Sequence, residues 1–361
     1  MNETTALSRE AIEKSAQDGH AESQIELSLR LEAEGRSDLS IDWLRRAVEG
    51  GSLRAKTLLA KCFLTKQPYE VDEGLALLFA ASDGGDGEAA HTAAIMHASA
   101  FGVERDWDRA FDYLQHSAEL GFVPSRKELL FLAGAPPADE HVASELWKEL
   151  RDSVDINAWI TAPRPKWAQK SPRIFVIEKF ASPEVCDWLI DRAKPHLVDA
   201  RTIDPQTDLL GADQGTTNSM VTFDLFRMDM IFSIMWARIT SVTGISSGAE
   251  APNILHHAVG ESYEPHFDYI ENESGAAPDY TQGAQRVVTF LLYLNDDYEG
   301  GGTEFPLANW GHRGRKGDAM YFWNVDARGS PDRLSMHTGT APSKGEKWVL
   351  SQWILGRLAQ G

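Results

Sequence analysis

The chain of 361 residues carries 54 acidic against 35 basic residues, a formal charge of −19. That balance disfavours sequence-independent nucleic-acid binding, which needs Lys and Arg to neutralise phosphate. It suits a basic partner, or only keeps the protein soluble. The length allows two domains with separate cores, and no run approaches the roughly 18 apolar residues of a membrane span. The opening MNETTALSREAIEK lacks the apolar region of a signal peptide. Cys62 and Cys186 are read as buried small hydrophobes in a reducing cytoplasm.

Residues 1–135 read as paired helices with an internal repeat. Asp38, Asp72 and Asp106 recur at intervals of 34, each placed to cap a helix start. Each stretch then reaches an alanine and, three residues on, a glycine suited to a left-handed stop: Gly50, Gly84 and Gly121. The longer run from Asp106 to Gly121 predicts a third helix about one turn longer than the others. Partner helices are read in 55–64 and 88–102, and His91 and His97 are read as surface or core residues because a spacing of six does not share a helix face. The stretch FGVERDWDRAFDYLQHSAELG (101–121) resembles the Sel1-like repeats, relatives of the tetratricopeptide repeat. The resemblance implies a helical solenoid that holds a protein or peptide; the alternative is a non-repetitive bundle.

Residues 136–170 read as a helix and a Pro-rich linker, with AGAPPADE (133–140) closing the array and TAPRPK (161–166) forming a stiff connector. From 171 to 361 the pattern turns to short strands. They are PRIFVIEKF, RVVTFLLYLND, GDAMYFWNV and KWVLSQWIL, with a helix capped by Ser182 after the first. The fold class is therefore multidomain α and β.

In ESYEPHFDY (261–269), His266 and Asp268 stand two apart, so on a strand both side chains share a face. Alone the pair is weak, since such pairs are commonly structural. His337 follows in LSMHTGTAPSKGEKWVLSQWI, and two His with one carboxylate form a facial triad suited to non-haem Fe(II). Lys347 opens a strand ten residues later. Its ammonium either reaches solvent or, pointing inward, needs an anion.

The pieces YEPHFDY, QRVVTFLLYLND, EGGGTEFP, KGDAMYFWN and LSMHTGTAPSKGEKWVLSQWI stand in this order. Through them, the segment from about 172 to 356 resembles the prolyl 4-hydroxylase-like branch of the Fe(II)/2-oxoglutarate oxygenases. The resemblance implies a double-stranded β-helix, or jelly roll, with the triad at its mouth. It implies that His266, Asp268 and His337 ligate Fe(II), that Lys347 pairs with the distal carboxylate of 2-oxoglutarate, and that Thr303 sets a hydroxyl beside it. Arg286, Trp353 and Tyr263 would face the substrate, although each also reads as a rim or packing residue. Two positions depart from the family pattern: His257 stands where a tyrosine commonly binds 2-oxoglutarate, and Leu355 where plant and algal-type enzymes can carry a substrate-facing histidine.

The expected reaction consumes O2 and 2-oxoglutarate, releases succinate and CO2 and hydroxylates a C–H bond, with ascorbate as reductant. The substrate is expected to be a protein or peptide, prolyl in the family, recruited by the array without nucleic acid or membrane. The alternatives are a free amino acid or other small molecule, with the array serving homo-oligomerisation or localisation, and an interaction scaffold without catalysis. The Gly/Thr-rich segment 211–223 reads as a lid or as an ordinary loop.

Overall fold

The computed structural model describes residues 8–66, 69–136, 144–200, 202–203, 210–211, 217–245, 248, 250–270 and 284–357. Chain contacts divide it into two compact units, Met1–Ile156 with Met228–Ile234, and Asn157–Arg227 with Met235–Gly361.

The first unit is helical: α1 (Arg9–Gln17), α2 (Ala21–Ala33), α3 (Ser37–Glu49), α4 (Leu53–Thr65), α5 (Val71–Asp83), α6 (Gly87–Ser99), α7 (Trp107–Glu119), α8 (Val123–Leu132) and α9 (Ser144–Ser153). Each helix from α1 to α8 packs on the next, as in a solenoid whose units bury their faces only against neighbours. Buried alanines such as Ala47, Ala55, Ala60 and Ala81 keep the helices close, with Leu44, Leu59 and Phe63 filling between them.

The repeat is present, but its punctuation differs from expectation. Of the three aspartates only Asp106 caps a helix, accepting from Arg109 N at 3.0 Å; Asp38 and Asp72 lie inside the first turns of α3 and α5. There their charge complements the helix N-terminus. The left-handed stops fall on Gly51 and Gly85, one residue after Gly50 and Gly84, whereas Gly121 is itself left-handed. Helices α3, α5 and α7 each have 13 residues, so the third is no longer than the others. The extra residues between Asp106 and Gly121 lie outside the helix, at its two ends.

His91 and His97 are both buried. His91 Nε2 meets Glu128 Oε1 at 2.8 Å, and the other Glu128 oxygen accepts the Met230 N–H at 2.9 Å within the same unit.

The second unit has two large antiparallel sheets, consistent with a jelly roll, and two two-stranded ribbons among the described residues. The larger runs Lys166–Gln169, Ile174–Ile177, Ala319–Trp323, Ala284–Tyr293, Lys347–Arg357, Asn253–His257, Ser219–Thr222 and Val198–Asp199. The smaller runs Trp310–His312, Thr303–Phe305, His337–Gly339 and Tyr263–His266. Ile174, Leu291, Tyr293, Met320, Phe322 and Val349 from the first meet Phe305 from the second in one buried cluster, which joins the sheets face to face.

Helix α10 (Ile156–Ile160) precedes the sheets; α11 (Pro183–Ala193) starts where Ser182 Oγ accepts from Val185 N at 3.3 Å, and α12 is Met230–Thr243. Gly317 is left-handed at φ +84, and a Cβ there would collide with the Ala181 carbonyl. Cys186 is buried, its thiol pushed up to about 12 by that burial, whereas Cys62 is only half-buried, contrary to the reading of both as core residues.

Strand Lys166–Gln169 begins inside the segment read as connector and pairs with Ile174–Ile177. Of the segment read as a lid, 212–216 lie outside the described residues, and Ser219–Thr222 form a strand paired with Asn253–His257, not a loop. Among the described residues, no helix is long and apolar enough to cross a membrane.

Candidate active site

His266 closes strand Tyr263–His266, and His337 opens the neighbouring strand directly opposite it. Asp268 lies just past the strand end rather than within it, yet its carboxylate reaches both rings. Oδ1 is 3.5 Å from His266 Nε2 and Oδ2 is 3.4 Å from His337 Nε2. One ligand atom from each residue lies within 4.8 Å of the others, the separation expected of donors around one ion.

The imidazoles are oriented from behind. His266 Nδ1 pairs with the Glu264 carbonyl at 2.7 Å and His337 Nδ1 with the Ser335 carbonyl at 3.1 Å. A carbonyl can only accept, so each Nδ1 carries a proton, and both Nε2 atoms face Asp268.

Asp268 has its own support. Thr289 Oγ1 donates to Oδ2 at 2.6 Å and in turn accepts from Asn324 Nδ2 at 2.9 Å. Burial pushes the Asp268 carboxyl up, but His337, His266 and the Thr289 hydrogen bond outweigh it and hold the group well below the usual range. Burial lowers the His337 imidazole to about 4 against the pull of Asp268. Asp268 is therefore an anion beside a neutral His337 ring, the protonation states a divalent metal requires of such ligands.

These residues line a cavity of 730 Å³, and all nine residues singled out above lie on its wall. Lys347 stands directly opposite His257 on adjacent strands. It is 2% exposed, and its Nζ donates to the Gly302 carbonyl at a long 3.4 Å. Burial brings its ammonium down to about 8. No carboxylate among the described residues ion-pairs with it.

Thr303 is buried, its Oγ1 accepting from the Tyr293 hydroxyl at 3.1 Å. His257 is pushed down to about 3 by burial and then by Lys347, so its ring is neutral; its Nδ1 has no hydrogen-bond partner among the described residues. A neutral imidazole, a hydroxyl and an unpaired buried ammonium form a wall suited to a carboxylate.

The residues expected on the substrate side are engaged with one another. Arg286 donates to both Glu250 oxygens, at 2.5 and 2.7 Å, and lies 3.7 Å over the Trp353 ring. Tyr263 stacks on His266 with ring centres 3.8 Å apart, and so braces a ring of the cluster as well as lining the cavity. Leu355 pairs in register with Arg286 and is not on the cavity wall. Sequence reasoning passed over Thr289, Asn324 and Glu250. The lone threonine in the apolar run RVVTFLLYL was the one visible signal for Thr289.

Comparison with known proteins agrees with this geometry. Residues 252–355 match the 2OG-Fe(II) oxygenase superfamily. Probable prolyl 4-hydroxylase 3 of Arabidopsis thaliana is 35% identical over 203 residues, covering 51% of this chain and 69% of its own. Prolyl 4-hydroxylase 1 of the same plant is 32% identical, covering 53% and 71%. The solved viral collagen prolyl hydroxylase of Paramecium Bursaria Chlorella virus-1 is 21% identical with a TM-score of 0.41, covering 51% and 96%. A Sel1 repeat protein from Oxalobacter formigenes is 25% identical with a TM-score of 0.32, covering 39% of this chain and 60% of its own.

Two antiparallel sheets around a His-Asp-His cluster define a non-haem oxidoreductase. The chain belongs to the prolyl 4-hydroxylase-like 2OG-Fe(II) oxygenases, with a helical repeat region ahead of that domain. Membership implies Fe(II), 2-oxoglutarate and O2 as metal, co-substrate and oxidant.

Proposed function

We propose that the protein hydroxylates a C–H bond of a protein or peptide, at proline or a residue of similar shape, with release of succinate and CO2. The observation that carries this reading is the convergence of two tautomer-fixed Nε2 atoms and the Asp268 carboxylate. In it His266, Asp268 and His337 hold Fe(II), and the donor set fits: two neutral nitrogens and one carboxylate on one side leave other positions open. Lys347, Thr303 and His257 hold the co-substrate, since a buried ammonium that ion-pairs with no acid among the described residues calls for an anion in the cavity. When bound, the metal and co-substrate supply the oxidising chemistry, with ascorbate as the reductant that maintains it.

The chain's own residues bind and orient. Asp268 and His337 are buried while His266 is partly exposed, so the open side of the cluster lies toward His266. Arg286 and Trp353 stand on the same cavity wall, where they would position the substrate backbone. The helical repeats would recruit that substrate.

The test is an anaerobic titration with Fe(II) and 2-oxoglutarate, then succinate release on adding O2. A protein that binds neither and turns over nothing is a scaffold, and the proposal fails. Partners captured through residues 1–135 are then searched by mass spectrometry for the gain of one oxygen. Turnover of a free amino acid with no modified partner would move the assignment to a small-molecule substrate.

A further inference from the structure

Lys347 poses an electrostatic problem. An ammonium this deeply buried loses its proton unless a negative charge acts on it, and an unprotonated lysine cannot anchor a carboxylate. Several titratable groups face it. His257 stands opposite on the adjacent strand, and His337 and Thr303 share the cavity wall. The phenols of Tyr293 and Tyr298 lie near, both pushed up by burial and therefore neutral. None of these supplies negative charge. The two carboxylates on the same wall are engaged elsewhere, Asp268 with Thr289 and the two imidazoles and Glu250 with Arg286. His257 and His337 act on Lys347 only unfavourably when protonated.

One carboxylate does act on it. Glu304 follows Thr303 in the same strand, so the two point to opposite faces. The Glu304 carboxylate lies against two glycines. A Cβ at Gly302 would be 2.8 Å from its Oε1, and one at Gly311, directly across the strand pair, would fall inside the van der Waals envelope of Oε2. Gly302 is also the residue whose carbonyl accepts from Lys347 Nζ. Thus Gly302 touches both groups, its carbonyl the ammonium and its bare Cα the carboxylate, with no side chain of its own to hold them apart. Glu304 makes no ion pair of its own among the described residues, which leaves its field directed at Lys347.

The structure assigns Glu304 as a positioning residue for the co-substrate: from the outer face of its strand it supplies the charge that keeps Lys347 a cation while the cavity is empty. This rests on the reading of Lys347 as the 2-oxoglutarate anchor. In support, Glu304 is the group that raises the Lys347 pKa against the lowering by burial. The seat for the carboxylate requires Gly311, whose φ lies outside the left-handed region and would tolerate alanine on backbone grounds.

The experiment measures 2-oxoglutarate affinity of the anaerobic Fe(II)-loaded full chain by calorimetry from pH 6 to 9. It is repeated in two buffers of different ionisation heat, to count protons taken up on binding. If Glu304→Gln lowers the ammonium by about one pKa unit, binding should weaken about five-fold at pH 8 and approach ten-fold at pH 9. At pH 6 it should bind as the wild type does, and near pH 8 it should take up more protons. Gly311→Ala, which displaces the same carboxylate, should shift the profile in the same direction, and Glu304→Asp should stay near the wild type. A structural role alone would weaken binding equally at every pH.

Superimposable wild-type and Glu304→Gln profiles, with equal proton uptake, would overturn the assignment. If instead the wild type binds no 2-oxoglutarate, or Lys347→Ala binds it unchanged, the failure lies in the anchor reading.

Discussion

The Thr289 hydroxyl donates to Asp268 Oδ2 at 2.6 Å, on the same oxygen that faces His337. Asn324, wholly buried, donates to that hydroxyl and fixes its direction. Thr289→Val keeps the shape and removes the donor. Iron affinity should fall about 10–100-fold, as for other outer-shell partners of metal ligands, with the circular dichroism spectrum unchanged. Thr289→Ser should recover most of it, and a valine variant that binds iron like the wild type would show that Asp268 needs no such support.

Asp268→Ala leaves two imidazoles and no anion at the site. The wild type should gain thermal stability on anaerobic addition of Fe(II), because a ligand that binds only the folded state stabilises it. The variant should show no shift at the same metal concentration. An equal shift in both would place the metal elsewhere.

That His266, Asp268, His337 and Lys347 would meet was legible from motifs that keep their order, although Asp268 reaches the cluster from beyond the strand end and not by the alternation expected of it. Their supports were not legible. Glu250 meets Arg286 across 36 residues, and Asn324 meets Thr289 across 35. Which polar groups face each other over such distances depends on register, which single residues do not announce. The repeat was visible through Asp38, Asp72 and Asp106, but equal spacing marks corresponding positions only if the loops match. Here Asp106 sits one residue before its helix and Asp38 one residue inside, so the period located the helices without locating their ends.

His257 makes the stability depend on pH. Its imidazole ionises near 6.5 when exposed and near 3 when folded, because burial and then Lys347 oppose the charge. Its contribution is therefore complete above pH 6.5 and is lost as the pH falls toward 3. Urea midpoints should decline over that window, and His257→Gln should decline less steeply. Parallel declines would remove His257 as the cause.

In the helical unit, Glu128 is 1% exposed and serves both His91 and the Met230 N–H. Glu128→Ala removes a partner of His91 and leaves the Met230 N–H without its acceptor, a buried donor costing about 1–3 kcal/mol. Urea unfolding of the full chain, followed by helical circular dichroism, should show the first loss of structure at lower denaturant. An unchanged curve would mean that water replaces the carboxylate.

Each imidazole of the cluster is latched to a carbonyl only two residues upstream, Glu264 for His266 and Ser335 for His337. The aim of either ring is thus decided by a few neighbouring bonds and survives changes far away in the chain. What distant changes can alter is whether the two short segments lie side by side. Damage to this site from afar should part the rings rather than turn them.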